Sequence, residues 1–182
     1  IYSALATGGE LAIVPRRLFS QPAALVEYVN ACHATVMTWA VAALCLVSSL
    51  HALDGQGLPY VRRVLFSGEV MPLKHLAIWM ERLPQAQFVN LYGPTEITCN
   101  CTYHEVERGR AYDKSLPLGR PFANRQVMLL DGDDRLVTQP GIQGEICVCG
   151  ASVALGYYAA REQTERAFVR NPLQQAFPQV MY

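Results

Sequence analysis

The chain has 182 residues, 51% hydrophobic and 16% charged, with 15 Lys+Arg balanced by 15 Asp+Glu. That length gives one domain or one and a half with a real core, and the composition excludes a disordered tail and a nucleic-acid binder held by net charge. Cys32, Cys45, Cys99, Cys101, Cys147 and Cys149 each sit in an apolar run, so reduced thiols in a cytoplasmic protein are expected rather than a disulfide frame.

Residues 1 to about 90 alternate between helical and strand periods. Ile1 to Leu5 reads as the middle of a helix with no charged leader before it, so the chain is expected to be a piece of a longer one. Gly8-Gly9 ends that helix as a left-handed cap, and Glu10 to Val14 then predicts a short buried strand closed by Pro15. Ser20 is placed as an N-cap and Pro22 in the first turn of a helix carrying Leu25, Val26, Val29 and Cys32 at helical spacing. Ala34 to Trp39 predicts a buried strand, Val41 to Leu53 a helix, and Arg62 to Phe66 a strand. Leu73, Leu76, Ala77 and Met80 mark a helix after Pro72, with Trp79 and Met80 packed on the sheet, and Phe88 to Leu91 predicts a further strand. Strands separated by helices make right-handed crossovers, and hence an α/β fold with a mostly parallel sheet and flanking helices.

After Val106 the pattern changes. Strands at Gln126 to Leu130 and Glu145 to Cys149 have no helix between them, Asp131 to Asp134 predicts a hairpin turn, and Arg161 to Phe168 a helix. The expected organisation is an α/β subdomain over 1–106 and a smaller antiparallel, β-barrel-like subdomain over 107–182. The longest apolar run, Thr35 to Leu50, is interrupted by Thr38, Ser48 and Ser49 and falls short of the ~18 residues of a membrane span.

The most informative segment is Asn90-Leu-Tyr-Gly-Pro-Thr-Glu96, just after a predicted buried strand. A Gly93-Pro94 turn there presents an aromatic ring, a hydroxyl and a carboxylate at a strand's C-terminal end, where open α/β sheets bind ligands. Magnesium takes one or two protein carboxylates and completes its shell with phosphate and water, so Glu96 could hold the metal of a nucleotide on which Tyr92 stacks. Read without a ligand, the same residues are a turn whose Thr-Glu pair caps a helix.

Asn90 to Glu96 resembles the nucleotide-binding motif of nonribosomal peptide synthetase adenylation domains, within the adenylate-forming (AMP-binding) superfamily. Three collinear stretches agree: Leu65-Phe-Ser-Gly-Glu69, Pro117-Leu-Gly-Arg-Pro121, and Gly144-Glu-Ile-Cys-Val-Cys-Gly150 followed by Val153-Ala-Leu-Gly-Tyr157. The resemblance covers essentially the whole chain and implies part of the large N-terminal region of such an enzyme. The family's phosphate-binding loop lies upstream of the chain, its Tyr-Arg-Thr-Gly-Asp motif would open at Tyr182, and its catalytic lysine lies in a C-terminal domain. An internal fragment, inactive alone, is therefore expected.

The resemblance implies that an amino-acid carboxylate attacks the α-phosphate of ATP, giving an aminoacyl-adenylate and pyrophosphate. The phosphopantetheine thiol of a peptidyl carrier protein then takes the acyl group, and a condensation domain can share the chain. By position, Glu96 is implied as the Mg2+ ligand, Thr95 as a phosphate contact, Tyr92 as the adenine stack, Asn90 as the partner of its exocyclic amine, and Gly68 as the space beside the ring. The acyl pocket falls on Thr38, Leu65, Ser67, Leu91, Gly93, Cys99 and Asn100, a mixture that favours a small or mid-sized, partly polar side chain. An apolar aromatic substrate would strand a buried Asn100 at a cost of about 1 to 3 kcal/mol.

Cys99-x-Cys101 and Cys147-x-Cys149 lack zinc-knuckle spacing and read as alternate strand residues behaving as small hydrophobes. His75, beside Lys74, reads as a solvated helix face. The competing readings are a stand-alone ligase charging an amino acid such as D-alanine onto a carrier protein, an acyl-CoA synthetase, and a degenerate adenylation fold serving as a docking scaffold.

Overall fold

A computed structural model describes residues 2–182, so the helical expectation at Ile1 lies outside the described residues. The chain forms two units: the first takes the chain up to Asn90 with Glu105–Pro117, the second Leu91–His104 with Leu118–Tyr182.

In the first unit, helix α1 (Tyr2–Ala6) ends where Gly8 turns to φ +71° and Gly9 N–H donates to Ala4 O at 2.7 Å. No strand forms over Glu10–Val14, which is largely exposed. The apolar run is there, but a strand needs a neighbour for its N–H and C=O groups; the Ile13 carbonyl instead accepts the Tyr28 hydroxyl at 3.2 Å. Ser20 is not an N-cap: its Oγ donates back to Arg17 O at 2.7 Å, closing a 3-10 turn over Arg16–Ser20. Gln21 stands at the cap of α2 (Pro22–Ala31), with Pro22 in the first turn as expected and Leu25, Val26 and Val29 buried.

Strand β1 (Val36–Ala40) runs directly into α3 (Val41–Ser49). This helix stops short of Leu53 because His51 adopts φ +54°, which ends helical propagation. Strand β2 (Arg63–Ser67), helix α4 (Leu73–Arg82) and strand β3 (Gln87–Tyr92) follow. β1 pairs with β2 and β2 with β3, all parallel. The covering helices bury Leu25, Leu44, Trp79 and Phe88 at 1% exposure or less. Trp79 satisfies its indole N–H within that core by donating to Leu44 O at 2.9 Å. His75 is not solvated: it is half-buried, with Nδ1 2.8 Å from Ser48 Oγ.

Strand β4 (Thr102–Glu105) and the two-residue β5 (Arg120–Pro121) pair antiparallel and complete a sheet of order β1-β2-β3-β4-β5. The second unit adds a four-stranded antiparallel sheet of order β6-β7-β9-β8, from β6 (Gln126–Leu130), β7 (Glu145–Cys149), β8 (Val169–Arg170) and β9 (Val180–Met181). Helix α5 (Arg161–Ala167) precedes β8. The fold is thus α/β with a mostly parallel sheet and a smaller antiparallel one. The turn after β6 is held by the Asp131 carboxylate, which accepts the N–H groups of Asp133 and Arg135 at 2.9 Å each. Met128, Leu130, Cys147, Cys149 and Met181 form one small core of this unit; Ile97, Cys101 and Val148 form another. Among the described residues no helix is long and apolar enough to cross a membrane.

Candidate functional site

In the first unit the register aligns Thr38 with Leu65 and Leu65 with Val89, while Ala40 aligns with Ser67. Leu65 and Ser67, two apart on β2, share one face, and Thr38 lies in the same row as Leu65. Thr38 is exposed and Leu65 and Ser67 half-buried, whereas Val64 and Phe66 point into the core. The structure therefore brings these three predicted positions together. Asn90 aligns with Phe66, in the row of opposite face. It is buried, and its Nδ2 donates to Pro117 O at 3.0 Å. Gly68 follows β2 with φ +98°.

In the second unit β3 ends at Tyr92, whose carbonyl accepts the Cys101 N–H at 2.7 Å, so residues 93–100 form a closed loop. The Tyr92 ring packs against the cluster of Ile97, Cys101 and Val148, and burial pushes its hydroxyl pKa up. Gly93 sits where the loop closes on itself: a Cβ there would lie 2.7 Å from Asn100 Cα and closer still to Cys99 O. Thr95–Ile97 is a single 3-10 turn with no side-chain cap, not the start of a helix. Thr98 and Cys99 then both take left-handed backbone, at φ +58° and +78°. Left-handed Thr is a rare, costly conformation, and this pair swings Cys99 out to solvent. Cys99 is thus exposed and in a loop, not alternating with Cys101 on a strand. Leu91 and Asn100 are half-buried; Asn100 directs its Nδ2 at Cys99 Sγ at 3.5 Å, so the expected fully buried amide is not formed.

The segment 150–157, which follows β7, clasps this loop at three points. Thr98 Oγ1 donates to Ser152 O at 2.8 Å, Ala154 N–H donates to Glu96 O at 2.7 Å, and the Tyr157 hydroxyl donates to Glu96 Oε1 at 2.6 Å. Charge-assisted O–H···O− bonds of this length are strong. The Tyr157 hydroxyl, then a backbone N–H and the Tyr182 hydroxyl, hold the Glu96 carboxyl below the usual glutamate range, and the carboxylate in turn pushes the Tyr157 phenol well above the tyrosine range. Tyr157 closes one of the family-like stretches, but no local spacing points to its role, because its partner lies 61 residues away.

The Glu96 carboxylate, held in its ionised form, is a hard oxygen donor of the type that suits magnesium, and the next residue back in sequence, Thr95, is exposed. A carboxylate has about four acceptor positions, so the phenol bond leaves room for a cation. Cys147 and Cys149 are buried in the β-sheet core, where burial pushes their thiols up.

Comparison with known proteins places these features in a family. A model of the AMP-binding enzyme family matches residues 1–158. Surfactin synthase subunit 1 of Bacillus subtilis (strain 168) is 28% identical over 172 residues, 94% of this chain and 5% of that protein. The D-alanine--D-alanyl carrier protein ligase of Bacillus anthracis (strain CDC 684 / NRRL 3495) is 32% identical over 173 residues, 92% of this chain and 33% of that protein. The chain therefore spans a third or less of these curated relatives. Among solved structures, that of CmiS6 superposes with a TM-score of 0.89 at 27% identity, covering 98% of this chain and 43% of that one. PA1221, a nonribosomal peptide synthetase protein containing adenylation and carrier domains, superposes at 0.78 and 27% identity, covering 88% of this chain and 32% of that one.

Proposed function

The chain belongs to the AMP-binding enzyme family, and from that membership we propose that the protein carrying it activates an amino acid with Mg-ATP and loads it on the phosphopantetheine of a carrier protein, in nonribosomal peptide synthesis. The observation that carries this reading is Glu96, an ionised carboxylate fixed in a turn just past the C-terminal end of β3. Bound magnesium would neutralise phosphate charge in the adenylation step. This chain's own part is positioning: Glu96 holds the metal and the exposed Thr95 hydroxyl contacts phosphate. Tyr92 is assigned to adenine, with one side of its ring supported by the Ile97 cluster. Asn90 has its NH2 committed to Pro117 O, so its Oδ1 is the end that accepts from the adenine amine. Gly68 is assigned to the other side of the base.

The acyl-side-chain roles of Thr38, Leu65 and Ser67 rest on their neighbouring positions in β1 and β2. Those of Leu91, Gly93, Cys99 and Asn100 rest on their place in the family motif. A cytoplasmic location and a condensation domain in the same chain follow the same reading.

Amino-acid-dependent exchange of labelled pyrophosphate into ATP, run on the full-length protein with a panel of amino acids, tests the proposal. Exchange with one or two of them, lost in Glu96→Ala, is the expected result; no exchange from a folded protein overturns it. The similarity to a D-alanine ligase favours a second reading, a stand-alone enzyme that charges a separate carrier. Exchange with D-alanine alone, and transfer to a carrier supplied in trans, would select it.

A further inference from the structure

The clasp of segment 150–157 on the Glu96 turn combines three hydrogen bonds with the packing of Val153 on the cluster of Ile97, Cys101 and Val148. Leu155 and Tyr158 on either side are 103% and 101% exposed, whereas Tyr157 between them is half-buried and turned toward Glu96. Among the neighbouring side chains Leu155, Tyr157 and Tyr158, only the Tyr157 phenol is directed at the carboxylate. Tyr157 is itself fixed: its backbone N–H donates to Thr164 Oγ1 at 2.9 Å, and its ring meets Phe168 edge-on with centroids 5.4 Å apart. Phe168 in turn lies 5.2 Å from the Tyr182 ring. Helix α5 thus anchors the phenol through Thr164, and the phenol reaches back to Oε1 across 61 residues of sequence.

We propose that Tyr157 is a positioning residue for the Glu96 carboxylate: by donating to Oε1 from a ring anchored on Thr164 and Phe168, it sets the rotation at which Glu96 meets a divalent cation. This rests on the reading of Glu96 as the metal ligand. A free glutamate turns about three side-chain bonds and must be ordered each time a cation arrives. Tyr157 removes that cost in advance while occupying one of about four acceptor positions. Outer-shell groups of this kind orient ligating carboxylates in metal sites generally. A phenol serving only to hold segment 150–157 in place would lower stability when changed and leave the metal affinity alone.

The test is Mn2+ binding to the full-length protein with a non-hydrolysable ATP analogue, read by electron paramagnetic resonance, alongside thermal denaturation. Tyr157→Phe keeps the ring contact with Phe168 and removes the hydroxyl; Mn2+ is expected to bind about ten- to a hundredfold more weakly. Thr164→Val, which keeps the phenol but removes its anchor, is expected to weaken binding in the same direction by a smaller factor. Mn2+ affinity within about twofold of the parent in folded Tyr157→Phe overturns the proposal. Should that variant not fold, Thr164→Val decides on the same threshold. Glu96→Gln separates the two levels: if it binds Mn2+ as the parent does, the metal reading itself fails. If it loses binding while Tyr157→Phe keeps it, only the positioning role fails.

Discussion

Asn90 and Pro117 are joined by one hydrogen bond, from the side-chain Nδ2 to the proline carbonyl at 3.0 Å. Only the NH2 end of an amide can make it, so the orientation of a buried side chain at the end of β3 is fixed by a residue 27 positions later. In Asn90→Asp the donor is gone and an oxygen faces the carbonyl in a site that is 7% exposed. Chemical denaturation at pH 7 is expected to show a loss of about 1 to 3 kcal/mol. The loss should shrink in acid, where the protonated carboxyl can donate again.

Gly93 is irreplaceable for a steric reason. A methyl group there meets backbone atoms of Cys99 and Asn100 that are tied down by the Cys101 to Tyr92 hydrogen bond, so nothing flexible can move aside. Gly93→Ala is expected to cost about 3 kcal/mol in denaturation and to abolish pyrophosphate exchange, because relief comes only from opening the loop that carries Thr95 and Glu96.

The Asp131 turn carries a pH signature. Backbone N–H groups of Arg135 and then Asp133 hold its carboxyl below the usual aspartate range. A depressed folded-state pKa contributes stability above the unfolded value, about 3.9, and that contribution is lost as pH falls through the folded one. Asp131→Ala should therefore melt lower than the parent at pH 7, with the gap narrowing as the pH is taken below 4; a pH series of melting temperatures checks it.

The six thiols should separate by reactivity. Cys99 is exposed, while burial raises Cys101, Cys147 and Cys149 away from the reactive thiolate. Timed alkylation followed by peptide mass spectrometry is expected to find Cys99 modified first and the three buried cysteines modified only on unfolding.

Elements whose burial follows a helical or strand period were legible in the sequence. Leu25, Val26 and Val29 announce α2, Leu73, Leu76, Ala77 and Met80 announce α4, and the helix-free spacing of β6 and β7 announces the second sheet. What failed depended on partners distant in sequence. Glu10–Val14 has the composition of a strand but no neighbouring strand, and His75 looks solvated until Ser48 is seen beside it. At the candidate site, Asn90, Tyr92 and Glu96 could be singled out from one short motif. The left-handed pair Thr98-Cys99 could not, because neither residue type advertises that conformation. Nor could the Tyr157 bond, since periodicity carries no information across 61 residues.

That long reach separates the lifetime of the site from the lifetime of the fold. Three hydrogen bonds and the half-buried Val153 hold segment 150–157 to the Glu96 turn, while Leu155 and the next residue after the segment, Tyr158, add no burial. Such a segment opens at far lower free energy than a core strand. A molecule in which it has briefly lifted still keeps the packed residues around Trp79, yet its Glu96 carboxylate has lost its orientation. Amide exchange at Ala154 would time that event, and it sets an upper limit on how long the carboxylate can stay poised between openings.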